Sequence, residues 1–163
     1  MRRITLGRRE SVAGTVYGTI IVMATLAAGS QGAETQAWKL ATFVAVTVLV
    51  LWVAHVYAHA LAEGLRQGRQ LKAHEIASVA RNELSIALAA VGPVAVLGLA
   101  QVGALAAQTA VWLALGLGVA TLAVQGARYA SVEHLGRLGT ALSISLNVLL
   151  GLVIVVLEAS ITH

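Results

Sequence analysis

Residues 40–62 read LATFVAVTVLVLWVAHVYAHALA, a run without a charged side chain between Lys39 and Glu63. An α-helix rises about 1.5 Å per residue, so a run of this length can cross a hydrocarbon core that is about 30 Å thick. The sequence contains three further charge-free runs, at residues 11–33, 84–127 and 138–157. The spacing of the charges therefore predicts a helical membrane protein, with residues 40–62 as one of its spans.

The composition excludes an ordinary soluble domain. Hydrophobic residues make up 58% of the chain and charged residues 11%, and the mean hydropathy is +0.84. An average soluble domain carries roughly 25% charged residues, so too few charges remain here to cover a surface in water. We predict an all-α integral membrane protein, a single membrane domain over residues 1–163. Its five transmembrane helices are expected at residues 11–29, 38–62, 84–101, 108–127 and 138–158.

Three local features divide these spans. The run 84–127 is long enough for two crossings, and two glutamines and a glycine within residues 101–108 predict the turn between them. Pro93 removes a backbone donor inside a span and predicts a kink there. The first and second spans are expected to be joined by an outer turn at residues 29–32, which read GSQG.

The basic residues predict the orientation of the chain. If the amino terminus lies in the cytoplasm, ten of the 11 Lys and Arg residues fall on the cytoplasmic side and only Lys39 falls outside. Inner loops of membrane proteins are typically rich in Lys and Arg. We therefore expect a cytoplasmic amino terminus, an outer carboxyl terminus and contact with the anionic inner leaflet of the bilayer. This contact explains the basic pI of about 10.1 without a nucleic-acid partner.

The segment 63–83 is the longest stretch between two spans. It carries Arg66, Arg69, Lys72 and Arg81 among apolar residues, a pattern that suits a short helix lying on the inner membrane surface. We expect this interfacial helix between the second and third spans.

The second span contains the clearest group of titratable residues, His55, His59 and Glu63. A spacing of four places them on one face of a helix. Three interpretations remain open: the histidines donate structural hydrogen bonds to a neighbouring helix, they line a proton or cation pathway, or they bind a transition metal. An ionisable residue inside a membrane favours a functional role, so we treat these three as candidate site residues.

Small and polar residues form stripes in the first and fifth spans. The first stripe contains Gly14, Thr15, Gly18 and Thr19, and Ser143 and Asn147 lie in the second. Glycines spaced by four allow two helix backbones to approach closely, and polar side chains bond across helices in lipid. These stripes predict either helix packing or the lining of a pore.

Catalytic motifs are missing from the sequence. The chain has no cysteine, which excludes thiolate nucleophiles, iron–sulfur sites and sulfur-ligated zinc. The pair His74-Glu75 begins like the metalloprotease motif H-E-x-x-H, but Ser78 stands where the second histidine is required. We therefore expect no enzyme and no cofactor.

Residues 8–16, RRESVAGTV, are similar to the start of the first helix in the bacterial and lysosomal potassium channel family, which carries Arg-x-x-x-Phe-Ser-Asp. Residues 12–14 read VAG where that family has Phe-Ser-Asp, so the motif itself is absent. Residues 52–55, WVAH, resemble the histidine-bearing second helix of the family, and Pro93 falls where its third helix often has proline. The Ala, Val, Gly and Arg bias also resembles small uncharacterised multi-span membrane proteins of actinobacteria.

These resemblances imply an oligomeric cation pathway in a bacterial cytoplasmic membrane, without identifying a selectivity residue. The sequence leads us to expect a small membrane protein of the transport class, a homo-oligomer that conducts cations or protons. One alternative is a non-enzymatic accessory or scaffold subunit that packs against a membrane-protein partner. The second alternative is a membrane protein that binds a transition metal.

Overall fold

The computed structural model describes the backbone of residues 2–30 and 36–161, and the side chains of residues 11–30, 36–157, 159 and 160. Seven helices follow one another in this part of the chain, which contains no strand. They are α1 (Arg2–Gly29), α2 (Ala37–Gln67), α3 (Ala73–Asn82), α4 (Leu84–Leu88), α5 (Val91–Gln101), α6 (Ala107–Val132) and α7 (Arg137–Ile161).

Five helical stretches of the described chain are long and apolar enough to cross a membrane. They cover Ser11–Gly29, Ala37–Gln67, Leu84–Gln101, Ala107–Val132 and Arg137–Leu157. The prediction of an all-helical chain with five bilayer-length apolar helices is confirmed. The second and the fourth of them depart most from the expected bounds, because α2 continues through Glu63 to Gln67 and α6 continues to Val132. A helix also forms within the segment 63–83, where α3 covers Ala73–Asn82.

The third stretch consists of two helices, α4 and α5, which are separated at Ala89 and Ala90. The amides of these two alanines bond to the carbonyls of Ile86 and Ala87, only three residues back. Pro93 lies in the first turn of α5, where it needs no amide proton, and its ring crowds the carbonyl of Ala89 four residues earlier. The break therefore falls one turn before the proline that predicts it.

Glycines in left-handed backbone conformations end two helices. Gly68 has φ 65° after α2, and the next amide, that of Arg69, bonds back to the Gly64 carbonyl at 3.2 Å. Gly103 has φ 78° between α5 and α6, inside the predicted turn at 101–108. Of the predicted turn at 29–32, residues 31 and 32 lie outside the described residues.

Helix α2 contacts α5, α5 contacts α6, and α6 contacts α7. Helix α1 contacts α2, α4, α6 and α7. The first helix therefore occupies the inside of the bundle. We call the half in which α1 and α5 end and α2 and α6 begin the upper half, and the opposite half the lower half. Most of the buried apolar core lies in the upper half, and it includes Val22, Met23, Leu26, Val44, Val48, Leu97 and Leu115.

The lower half depends on a close approach between α1 and α4. A Cβ atom added at Gly18 would lie 2.6 Å from the backbone oxygen of Ile86, and one added at Gly14 would collide with the Ser85 hydroxyl. The two glycines of the first stripe therefore pack within the chain, against the short helix α4.

We expect Gly18→Ala to destabilise the protein by about 1–3 kcal/mol, because the new methyl group must push against a backbone carbonyl. Gly98→Ala is the matched control, since a Cβ there meets nothing within 4 Å. Removing a helical glycine at that open position should stabilise by up to about 1 kcal/mol. Thermal unfolding in detergent measures both changes, and equal effects of the two substitutions would contradict the packing.

Candidate functional site

Four side chains from three parts of the fold meet in the lower half of the bundle. The ring of Tyr17 on α1 lies 5.4 Å from the ring of His55 on α2, and that ring lies 5.0 Å from the ring of His59. The Nδ1 atom of His59 lies 2.8 Å from Oε1 of Glu83, at the junction of α3 and α4. The result is a continuous row that we call the histidine row: Tyr17, His55, His59 and Glu83.

Glu83 occupies a protected position at the end of this row. Its side chain is only 12% exposed, whereas that of His59 is 54% exposed. The α3 helix just before it is tied to α2, because the Trp52 indole donates a hydrogen bond to the Ala80 carbonyl at 3.2 Å. The carboxylate is thus held beside the imidazole by tertiary contacts on both sides of the junction.

The structure separates Glu63 from the histidines with which its spacing grouped it. Its carboxylate accepts hydrogen bonds from Arg66, at 2.9 and 2.6 Å, and from Gln67. Both partners lie on the next turn of α2, which continues past the predicted end of the span. The Glu63 carboxylate thus pairs with Arg66, whereas the carboxylate that contacts His59 is that of Glu83.

The described residues contain no group of three His, Asp or Glu side chains that could hold a metal ion. The rings of His55 and His59 lie next to each other and are tilted by 44°. The Glu83 carboxylate contacts the ring of His59. A transition metal needs three or more ligands that converge on one point. The arrangement of these side chains therefore does not support the metal-binding alternative.

The threonines of the first stripe are bonded to their own helix. The Thr15 hydroxyl donates to the Ser11 carbonyl at 2.8 Å, and the Thr19 hydroxyl donates to the Thr15 carbonyl at 2.7 Å. Thr19 is buried, with 3% of its surface exposed. Both hydroxyls therefore donate their proton to the backbone of their own helix.

The stripe in the fifth span joins α7 to α6. The Ser143 hydroxyl donates to the Gly126 carbonyl at 2.9 Å, and the Asn147 amide donates to the Ser143 carbonyl, also at 2.9 Å. The two backbones are close here, because a Cβ at Gly126 would lie 2.8 Å from the Cα atom of Ile144. Both predicted residues also line a groove between α1, α6 and α7.

Sequence reasoning missed Tyr17 and Glu83 as members of the site. In the sequence, Glu83 is the charged residue that directly precedes the third span. Tyr17 is one aromatic residue within an apolar run. The useful signal was that Glu83 directly precedes a charge-free run, as Glu63 directly follows one. Which of the two lies beside the histidines depends on tertiary packing.

The loop between α2 and α3 is held by a second ion pair. The Arg69 guanidinium bonds to both carboxylate oxygens of Glu75, at 2.9 and 2.6 Å, and the Lys72 amide donates to the same carboxylate at 2.7 Å. The Arg69 guanidinium, and then the Lys72 amide, lower the pKa of Glu75 from 4.5 to about 2. This carboxylate caps the first turn of α3.

Comparison with known proteins adds no relative to this geometry. No family model, no curated protein and no solved structure matches the chain. The similarity of residues 8–16 and 52–55 to a potassium channel family therefore stays a prediction.

We expect the amides of α3 to lose hydrogen-exchange protection as the pH falls from 4.5 towards 2. A carboxylate with a lowered pKa in the folded state stabilises that state above its ordinary pKa, and the contribution disappears when the carboxylate is protonated. Glu75→Gln should show the reduced protection at pH 6 and no further loss down to pH 2. An equal pH dependence in both proteins would assign the effect to another group.

Proposed function

We propose that this protein belongs to the transport class and that the histidine row carries protons through the lower half of the membrane. The observation that supports the proposal is the contact of 2.8 Å between His59 Nδ1 and the sheltered Glu83 carboxylate. An imidazole can gain and lose a proton near neutral pH, and a carboxylate partner fixes which of its nitrogens holds the proton.

The contact with Glu83 influences which nitrogen of His59 exchanges protons. In the neutral imidazole, a carboxylate 2.8 Å from Nδ1 favours a proton on Nδ1, so Nε2 is the atom that can accept a further proton. The His55 ring lies next to it, with 5.0 Å between ring centroids, a distance that one water molecule can bridge. Tyr17 extends the row with its phenol on the far side of His55.

The histidine row covers only part of a membrane crossing. The upper half of the bundle is filled by the apolar core, and the polar side chains of Thr25 and Ser30, which are buried there, bond to backbone carbonyls of α1. A pathway through the whole bilayer would therefore run between copies of the chain, and this supports a homo-oligomer. The exposed apolar surface of α7 fits such an assembly, because only 6% of its most apolar segment is buried within the described chain.

The proposal includes an orientation in the membrane. Arg66, Arg69, Lys72, Arg81, Arg128 and Arg137 all belong to the lower ends of the helices or to the segments that join them. Loops with this composition favour the cytoplasmic side. The histidine row then opens towards the anionic inner leaflet of a bacterial cytoplasmic membrane, and α3 is placed to lie on that surface.

The exposure of α7 also supports a second candidate, a non-enzymatic accessory or scaffold subunit. In that case α7 packs against another membrane protein, and substitutions in the histidine row leave the function of the complex unchanged. The mass of the purified protein in detergent distinguishes the two candidates, since a closed homo-oligomer supports a pathway between copies and a monomer supports the accessory role.

We expect proton flux into liposomes that contain the protein, driven by a potassium diffusion potential and measured with an internal pH dye. His59→Asn and Glu83→Gln should each reduce this flux by about 100-fold, the lower range of what a positioned proton-transfer group contributes. The physical reason is that each substitution removes a group that exchanges protons and keeps the hydrogen-bonding shape.

Two control variants make this experiment decisive. His74→Asn changes an exposed histidine of α3, and Glu63→Gln changes the carboxylate that pairs with Arg66. Both should retain the flux of the unmodified protein. Flux that falls with Glu63→Gln and survives Glu83→Gln would reject the assignment of the site, and no flux from folded protein would reject the transport class.

A further inference from the structure

A groove of 920 Å³ opens between α1, α6 and α7 in the lower half of the bundle. Its walls are mainly aliphatic, and its rim carries Leu142 and Leu146, which are 62% and 60% exposed. These leucines belong to the fifth apolar stretch, so the rim faces the lipid phase of a membrane. A molecule that enters this groove therefore comes from the bilayer and has an apolar body.

The groove also contains a polar group that has no partner. Gln125 lines it from α6, and only 5% of this residue is exposed. Its carbonyl oxygen Oε1 is buried and has no hydrogen-bond partner in the part of the chain that the structure describes. A buried polar group that lacks a hydrogen bond is costly, above all in a hydrocarbon environment, where water cannot replace the partner. An occupant that donates a hydrogen bond would remove this cost.

Two further polar residues lie on the opposite wall. Ser143 and Asn147 each donate a hydrogen bond to a backbone carbonyl, and the oxygen atom of each side chain can accept another one. The second amide hydrogen of Asn147 can also donate to an acceptor on the occupant. Ethers, esters and ketones have only acceptors, so they would leave Gln125 Oε1 unpaired.

The charge of the groove restricts the occupant further. Among the described lining residues there is no Lys, Arg or His, and Glu133 is the one charged side chain. An anionic head group would therefore be desolvated without a countercharge. Gln125 lies seven residues before the end of α6 at Val132, about 10 Å deep along the helix axis. Only an uncharged head group can be drawn to that depth at low cost.

We propose that this groove binds a neutral lipid with a hydroxyl head group, of the diacylglycerol type, and that the hydroxyl donates its proton to Gln125 Oε1. The acyl chains lie against the aliphatic walls and leave through the rim at Leu142 and Leu146. This binding site shares Tyr17 with the histidine row, whereas Gln125, its hydrogen-bond acceptor, lies outside that row.

The test uses the full chain in detergent and two probes, 1,2-dioleoylglycerol and its 3-O-methyl ether, which lacks the donor. Native mass spectrometry counts bound lipid, and thermal unfolding gives an independent shift. The unmodified protein should bind the alcohol about tenfold more tightly than the ether, as expected where a buried acceptor is left unpaired. Equal binding of the two lipids would overturn the proposal, as would tighter binding of dioleoylphosphatidylglycerol than of the alcohol.

Gln125→Leu supplies a second readout that a purely structural role would not give. The variant should lose the preference for the alcohol, and without lipid its Tm should rise by about 2–4 °C, because an unsatisfied buried oxygen has been removed. Gln101→Leu, at an exposed glutamine that ends α5, is the matched control and should keep the preference. A variant at Gln125 that retains the tenfold preference for the alcohol contradicts the assignment of Gln125. If the variant does not fold, the comparison of the two lipids on the unmodified protein decides whether the groove selects a hydroxyl head group.

Discussion

The arrangement of the lower half depends on the absence of side chains at two positions of α1. Gly14 and Gly18 let the backbone of α4 approach so closely that a methyl group at Gly18 would lie 2.6 Å from a carbonyl oxygen. In lipid, helices associate through such van der Waals contact because hydrophobic burial offers little gain. Ser85 and Ile86, which pack against these glycines, follow Glu83 closely in the chain, and Glu83 lies beside His59.

The two halves of the bundle divide structural and chemical tasks. In the upper half, Met23, Leu26 and Leu97 have no exposed surface and fill the space between helices. In the lower half, the extension of α2 leaves a groove of 730 Å³ beside α3, and a groove of 920 Å³ opens between α1, α6 and α7. The histidine row and Gln125 both lie in this less tightly filled half.

The helices could be predicted from the sequence because a charge inside hydrocarbon is costly, so the positions of Lys, Arg and Glu mark the span ends. The break before Pro93 and the turn around Gly103 were predictable from local backbone chemistry. The acid of the site was not. A spacing of four indicated Glu63, but α2 continues and supplies Arg66 as its partner, while Glu83 reaches His59 from a different helix. Spacing reports one helix face, and a site built from several helices depends on their packing.

Tyr17 links the two sites of the lower half. One face of its ring contacts His55, and its side chain also lines the groove that contains Gln125. A substitution at Tyr17 would therefore change both proposed sites and could not distinguish the proposed proton transfer from the proposed lipid binding. Glu83 belongs to the histidine row alone, because it contacts His59 at the α3–α4 junction. Gln125 belongs to the groove alone, because it lines that groove from α6. Substitutions at these two residues can therefore test the two proposed functions independently.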